Sequence, residues 1–351
     1  MKPIVPLVLA FGLCLPAAPI RAQDTATIDF LDVGQGDAIL IRSPEGKTAL
    51  VDAGPSKEIV SLLKEQGIRA IDLVVVSHHH ADHYGGMDNV IRSFRPRFFL
   101  ATDSSHTTPH YLRLLRLVRD SGIRSIFPTN VPRRIELGSV VLTVLPQPPE
   151  NVEDENDNSI GIRVQHGSLS VLLTGDSQAT ERAFWERHVP DLIRDCTVLK
   201  LAHHGSKNGT DSRWLSVVKP RLAVISVGAE NEYGHPSPQT LALLSRTRIP
   251  VLRTDVDGTI EIRTDGKNWE AAGQIRTARA PPDRTAKKPV ENLVDLNTAT
   301  GDELESLPGI GPALARRIIV GRPYRSVDDL LRIKGIGEHR FAEIRQHVNV
   351  K

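Results

Sequence analysis

Val74-Val75-Val76-Ser77-His78-His79-His80-Ala81-Asp82-His83 ends an apolar β-branched run with four histidines and an aspartate in six positions. The run reads as a strand whose end delivers side chains to the rim of a sheet. The turn that follows can converge His78, His80, Asp82 and His83 on two adjacent cations. Neutral imidazole nitrogen and carboxylate oxygen are the usual zinc ligands, and they also accept manganese or iron. A polar loop before a helix would account for one histidine but not for this density. Three further stretches repeat the design: Leu172-Leu173-Thr174-Gly175-Asp176, Val198-Leu199-Lys200-Leu201-Ala202-His203-His204-Gly205-Ser206, and Tyr233-Gly234-His235-Pro236. Each alone is an ordinary turn, but their recurrence after apolar strands makes a set.

Outward from this segment, short β-branched runs predict strands over 27–33, 38–42, 48–51, 73–77, 98–101 and 140–145, with helices over 57–66 and 111–120. A second series begins at Ile160, with strands over 170–174, 197–201, 222–227 and 259–263 and helices over 179–187, 214–218 and 239–246. Two strand-rich series flanked by helices predict an α/β architecture in which sheets pack together with helices outside. Residues 150–157, with five carboxylates, read as a solvated loop.

The chain has 351 residues, 40% of them hydrophobic and 25% charged, which excludes disordered and collagenous classes. Its 44 basic and 42 acidic residues leave a formal charge of +2, so any polyanionic partner must be argued locally. Residues 1–22 place Lys2 before an apolar run from Ile4 to Ala18 and end in Pro19-Ile20-Arg21-Ala22. That is a secretory signal pattern with cleavage after Ala22, too short and proline-broken for a spanning helix. The expected location is therefore periplasmic or secreted, without stable membrane insertion after cleavage. Loss of Cys14 leaves Cys196 alone, which excludes an intramolecular disulfide and predicts a buried, inert thiol.

His78-His79-His80-Ala81-Asp82-His83 matches the HxHxDH signature and resembles the metallo-β-lactamase superfamily, whose fold is an αββα sandwich with a binuclear metal site. Phe30-Leu31-Asp32-Val33-Gly34-Gln35-Gly36-Asp37, Asn158-Ser159, Thr174-Gly175-Asp176 and His203-His204-Gly205-Ser206 resemble the hydrolase domain of the ComEC competence proteins. By this resemblance His78 and His80 bind one metal, Asp82 and His83 the other, and Asp176 bridges them. The last ligand is expected to be His203, with His204 facing substrate phosphate and His235 either a ligand or a phosphate contact. The superfamily's middle histidine has no clear match, and His106, His110, Asn158 and His166 are the residues considered for its place. The implied cofactor is a pair of divalent ions, zinc or else manganese or iron.

Two such ions would activate water and polarise a phosphoryl or carbonyl oxygen, so hydrolysis is the expected reaction. Asp82, His204 and Lys200 are the catalytic candidates, the last to neutralise a leaving oxygen together with Ser206 and Lys207, although Lys200 could equally be a surface lysine. Asp37 can orient a ligand or merely stabilise a turn, and Asp52 can accept a hydrogen bond from a ligating histidine.

Residues 23–275 thus form the expected hydrolase domain, and 276–291 a basic proline-containing linker. Residues 292–351 hold an internal repeat, Leu307-Pro308-Gly309-Ile310-Gly311 and Ile333-Lys334-Gly335-Ile336-Gly337, and Thr300-Gly301-Asp302-Glu303 reads as a capping box. A Gly-Ile-Gly turn before a helix presents backbone N–H groups suited to phosphate. The repeat closely resembles the ComEA-like tandem helix-hairpin-helix domain, all-α, which binds double-stranded DNA without reading sequence. The resemblance makes Gly309, Gly311, Gly335 and Gly337 contact positions, supported by Lys334, Arg316, Arg317 and Arg340. Nine basic and eight acidic residues from Val294 to Lys351 keep a protein-contact role open.

The combined expectation is an exported binuclear metallohydrolase, a nuclease or DNA phosphodiesterase, with a non-sequence-specific DNA-binding tail and a link to DNA uptake. Alternatives are hydrolysis of a small phosphodiester, phosphorylcholine-like ester or β-lactam, and a non-catalytic DNA receptor.

Overall fold

The computed structural model describes residues 25–103, 108–148, 155–229, 231–272, 276–277, 293–299, 303–304, 307, 310, 312–333, 335–337, 341, 344–345 and 347–350. The signal segment 1–22, most of the linker, His106, Gly309, Gly311, Lys334 and Arg340 lie outside them.

The first half lays down β1 (Ala26–Phe30), β2 (Ile39–Arg42), β3 (Thr48–Val51), β4 (Leu73–Val75), β5 (Phe98–Leu100) and β6 (Arg124–Ile126). The second half continues with β7 (Arg133–Leu137), β8 (Val140–Val144), β9 (Ile162–His166), β10 (Leu169–Leu173), β11 (Val198–Lys200), β12 (Leu222–Ile225) and β13 (Pro250–Arg253). β14 (Ile260–Thr264) and β15 (Trp269–Ala272) return to the first sheet, and β16 (Arg276–Thr277) closes the second. Each sheet has eight strands, ordered β15-β14-β1-β2-β3-β4-β5-β6 and β16-β13-β12-β11-β10-β9-β8-β7. β3, β4, β5 and β6 run parallel, as do β10, β11, β12 and β13.

The apolar runs are buried on both faces, as parallel strands require. In β4, Leu73 and Val75 enter the core shared by the two sheets, while Val74 packs on the other face with Ile59, Leu63, Val90 and Tyr111 from helices Ile59–Glu65, Met87–Phe94 and Pro109–Asp120. Val198 of β11 likewise faces the shared core, and Leu199 faces Trp185, Trp214 and Leu244 of the outer helices. The result is four layers, αββα. Helix starts are locally encoded: the side chains of Thr108, Asp211 and Ser237 cap the helices Pro109–Asp120, Ser212–Val218 and Pro238–Thr247.

Three expectations change. Residues 155–158 are a 3-10 helix with Asn156 and Asp157 buried, not part of a solvated loop. Asp157 Oδ1 accepts from the backbone N–H groups of Gln178 and Glu181 and so supports the start of the helix Ala179–His188. Arg276–Thr277, assigned to the linker, pairs antiparallel with β13. Strands β6, β7, β13 and β15 were not anticipated; in β7 and β15 half or more of the positions are exposed or polar, as edge strands allow, and β6 and β13 are only three and four residues long.

The C-terminal unit has its own core of Leu296, Leu304, Ile310, Ile318, Tyr324, Leu330, Ile336, Phe341 and Ile344 among others. Its helix Pro312–Val320 carries exposed Arg316 and Arg317. Val294–Asp295 pairs in parallel with Val348–Asn349, a small addition to the expected all-α unit. The capping box among the described residues is Ser326 with Asp329; the one expected at 300–303 falls mostly outside them.

Candidate metal centre

The ends of β3, β4, β10, β11 and β12 and the loop joining β1 to β2 meet at one edge of the sandwich. After β4, His78 and His80 turn toward this edge, with His78 Nε2 3.0 Å from His80 Nδ1. His79 between them points into the helical layer, where its ring packs at a tilt of 43° against Tyr111 and meets Thr102 Oγ1 at 3.0 Å. His83 is fully buried: Nδ1 lies 2.8 Å from Asp52 Oδ2, and Nε2 lies 3.3 Å from Asp176 Oδ2. Asp52 is fixed by the backbone N–H and hydroxyl of Ser77, both at 2.7 Å. It therefore orients His83, the role a carboxylate behind a ligating imidazole commonly takes.

Among the described residues, three donor groups share His83: His78–His83–Asp176 and Asp82–His83–His204 at the cleft, and Asp37–Asp52–His83 behind it, each with ligand atoms within 4.8 Å of one another. The second contains His204, expected to face substrate, with Nε2 3.2 Å from Asp82 Oδ2 and 3.5 Å from Asp176 Oδ2, whereas His203, expected as the last ligand, lies at the cluster's edge. Its Nδ1 is held 3.0 Å from the Ser226 carbonyl and 3.4 Å from Asp37 Oδ1. Both histidines have φ near +50°, 53° and 52°, an unusual backbone that sends adjacent rings to different places. His203 Nε2 is 4.0 Å from Asp176, and its ring faces that of His235 edge-on.

Lys200 also differs from expectation. It is neither a surface lysine nor a group lining the cleft: it is wholly buried, with Nζ ion-paired to Asp37 and donating to the Gly175 carbonyl at 3.3 Å. Asp37 is more than a turn residue, because it joins this cation to His204. Gly36 lets the loop approach so closely that a Cβ there would collide with the Asp82 carbonyl.

Of the residues considered for the missing middle histidine, His110 packs at a tilt against Tyr84 and His166 lies at the hairpin end of β9 beside Gly266. The Asn158 carbonyl accepts from Gln147. None of these three belongs to any of the donor groups.

Electrostatics favour cation binding. Burial disfavours charge on His83, but Asp176 and Asp52 outweigh it and hold its pKa well above the ordinary value. Burial likewise opposes charge on His204, yet Asp176, Asp37 and Asp82 raise it to about 9. The carboxylates of the cluster thus outweigh the cost of burying positive charge beside them. Asp176 Oδ1 and His83 Nε2 are buried without a hydrogen bond. Orphaned donor atoms of this kind fit a coordinated ion.

An open cleft of about 710 Å³ leads to the cluster, lined by His80, Asp82, Asp176, His203, His204 and His235, with Gln35, Asn231 and Tyr233. Over residues 31–229 the sequence matches the family model described as the metallo-beta-lactamase superfamily.

The chain belongs to the metallo-beta-lactamase superfamily. It is a hydrolase of that family, and the fold implies divalent metal ions. Residues 290–349 match a helix-hairpin-helix motif. Recombination protein 2 of Haemophilus influenzae is 31% identical over 274 residues, 74% of this chain and 31% of that protein. ComE operon protein 3 of Bacillus subtilis is 27% identical over 256 residues, 67% of this chain and 33% of its own length. The chain therefore spans about a third of these relatives. ComE operon protein 1 of Bacillus subtilis is 38% identical over 63 residues, 17% of this chain and 31% of that protein. Among the described residues, no helix is long and apolar enough to cross a membrane.

The sequence did not reveal Ser77, the Ser226 carbonyl or the Asp37–Lys200 pair as parts of the centre. Serine and lysine carry no signal of burial until their neighbours are known. The order Gly-Gln-Gly-Asp was the one visible hint.

Proposed function

We propose that this chain is an exported metal-dependent phosphodiesterase that hydrolyses DNA, with its C-terminal unit holding the duplex backbone without reading sequence, in a role tied to DNA uptake. The observation that carries this reading is the union, in one chain, of a carboxylate–imidazole cluster at an open cleft with a helix-hairpin-helix unit. The similarity to competence and recombination proteins supports the context, and the N-terminal pattern of residues 1–22 supports export. Tethering raises the local concentration of DNA at the cleft.

His78, His80, Asp82, His83, Asp176 and His204 would hold the ions. Bound divalent cations, zinc in our reading, would supply a nucleophile at neutral pH and neutralise charge on a phosphoryl oxygen. The protein's own part is positioning. Asp52 and Asp37 fix the His83 and His204 rings, and Lys200 fixes Asp37. His203 and His235 line the cleft with partly exposed rings, placed to meet substrate oxygen. In the tail, Gly335 with φ of 104° and exposed Gly337 lie in the turn offered to phosphate; Gly309, Gly311, Lys334 and Arg340 belong to the same reading.

The test is digestion of end-labelled linear and closed circular DNA, each both single-stranded and duplex, by metal-loaded protein, beside an Asp82→Ala, His83→Ala double variant and a chain ending at residue 289. Cleavage by the wild type and none by the double variant is expected. The shortened chain should bind DNA more weakly and with a flatter salt dependence. Intact DNA after incubation with the loaded wild type would overturn the reading.

A further inference from the structure

The loop after β12 carries a side chain that the metal cluster does not use. Tyr233 is 69% exposed, yet it lines the same cleft as Asp82, Asp176 and His204. A large aromatic ring left in water forgoes the gain of burial, so its position invites a partner. Its ring lies 24° from parallel with that of His235, with centroids 5.8 Å apart. The loop is stapled from within. Asn231 Nδ2 donates to the carbonyls of Gly228 at 2.8 Å and His235 at 2.6 Å, and the His235 N–H donates to Asn231 Oδ1 at 2.9 Å. Gln35, from the loop before β2, accepts from the Gly228 N–H at 3.2 Å and ties this rim to the opposite sheet. Tyr233 therefore sits on a closed, internally bonded loop, and ordering it on a ligand costs little further entropy.

We infer that Tyr233 is a stacking platform for a nucleobase of the strand whose phosphodiester lies at the cluster, so that the cleft takes unpaired DNA. This rests on the phosphodiesterase reading and names its substrate class. A base inside an intact duplex has both faces covered by its neighbours, and only an unstacked one can lie on an exposed ring. Such stacking is sequence-tolerant, because every base has a π-face.

Two measurements with the full chain test it. The first compares kcat/KM on a single-stranded oligodeoxyadenylate with that on an equally long strand carrying abasic sites, for wild type, Tyr233→Ala and Tyr233→Phe. The preference for the base-bearing strand should fall about tenfold or more in Tyr233→Ala and persist in Tyr233→Phe. The second is binding of a strand containing 2-aminopurine, whose fluorescence is quenched on stacking. Quenching should appear with wild type and Tyr233→Phe and be lost with Tyr233→Ala, whether or not the strand is cut. Equal selectivity and equal quenching in all three proteins would overturn the platform, as would a Tyr233→Phe loss matching Tyr233→Ala, which would assign the contact to the hydroxyl. Tyr233-dependent quenching without cleavage by any metal-loaded form would sink the phosphodiesterase reading and leave the platform standing.

Discussion

On the floor of the cleft, His83 and Lys200 are fully enclosed and tied to Asp52, Asp176 and Asp37; on its rim, His80, His203, His235 and Tyr233 keep part of their surface in water. Floor residues are fixed by charge and hydrogen bonds in surroundings where an unpaired charge is severely penalised. Rim residues are held by ring contacts and loop bonds, and their loss should leave the fold intact. The floor thus carries both stability and the ligand set, the rim only contacts made from the cleft, and substitutions can separate the two.

The largest effect is expected at Asp176, the residue that both donor groups at the cleft approach. Asp176→Ala should cut hydrolysis about 10³-fold, the order of several kcal/mol of lost charge stabilisation. Metal analysis of the purified variant should show reduced content. Lys200→Met comes next and tests the floor as a structural unit. Removing the cation strands Asp37 in the interior, and urea unfolding should report a loss of about 3–5 kcal/mol. Adding Asp37→Leu should recover part of that loss without restoring activity. If the single variant were as stable as wild type, the distinction between floor and rim would fail.

On the rim, His235→Ala should lower kcat/KM on DNA about tenfold, a modest share of the contribution typical of a positioned imidazole. Its melting temperature should stay within about a degree or two of wild type, as expected for a partly exposed side chain. The smallest effect belongs to Glu181, behind the floor, whose Oε2 accepts from the Ser159 N–H at 3.1 Å. Burial, then the neighbouring Asp157, pushes its carboxyl well above the ordinary value of 4.5. A group raised in the folded state contributes stability fully below its unfolded pKa and loses it as pH rises toward the folded one. Glu181→Gln, neutral at every pH, should therefore gain on wild type between pH 5 and pH 8 by a few degrees of melting temperature in thermal scans.

Much of the fold was legible because its information is local. Thr48–Val51 and the apolar part of 73–77 are short β-branched runs, and the helices over 111–120, 214–218 and 239–246 show in apolar periodicity. Strand β7 was not legible, since Arg133, Arg134 and Glu136 face solvent at the sheet's edge and leave no apolar pattern. Asp157 was misread for the opposite reason. A carboxylate within an acidic run looks solvated until the N–H groups of Gln178 and Glu181 are found against it.

The sequence by itself determined that imidazoles and carboxylates cluster after apolar strands, because strand and turn spacing over a few residues sets which side chains reach a rim. Only the tertiary structure decided where the rings of two adjacent histidines lie. The left-handed backbone at His203 and His204 is sustained by packing, and the His204 ring is drawn in by Asp37 and the Ser226 carbonyl. The fate of Lys200 was decided in the same way, because a lysine is buried only when the folded sheets bring a distant carboxylate to meet it.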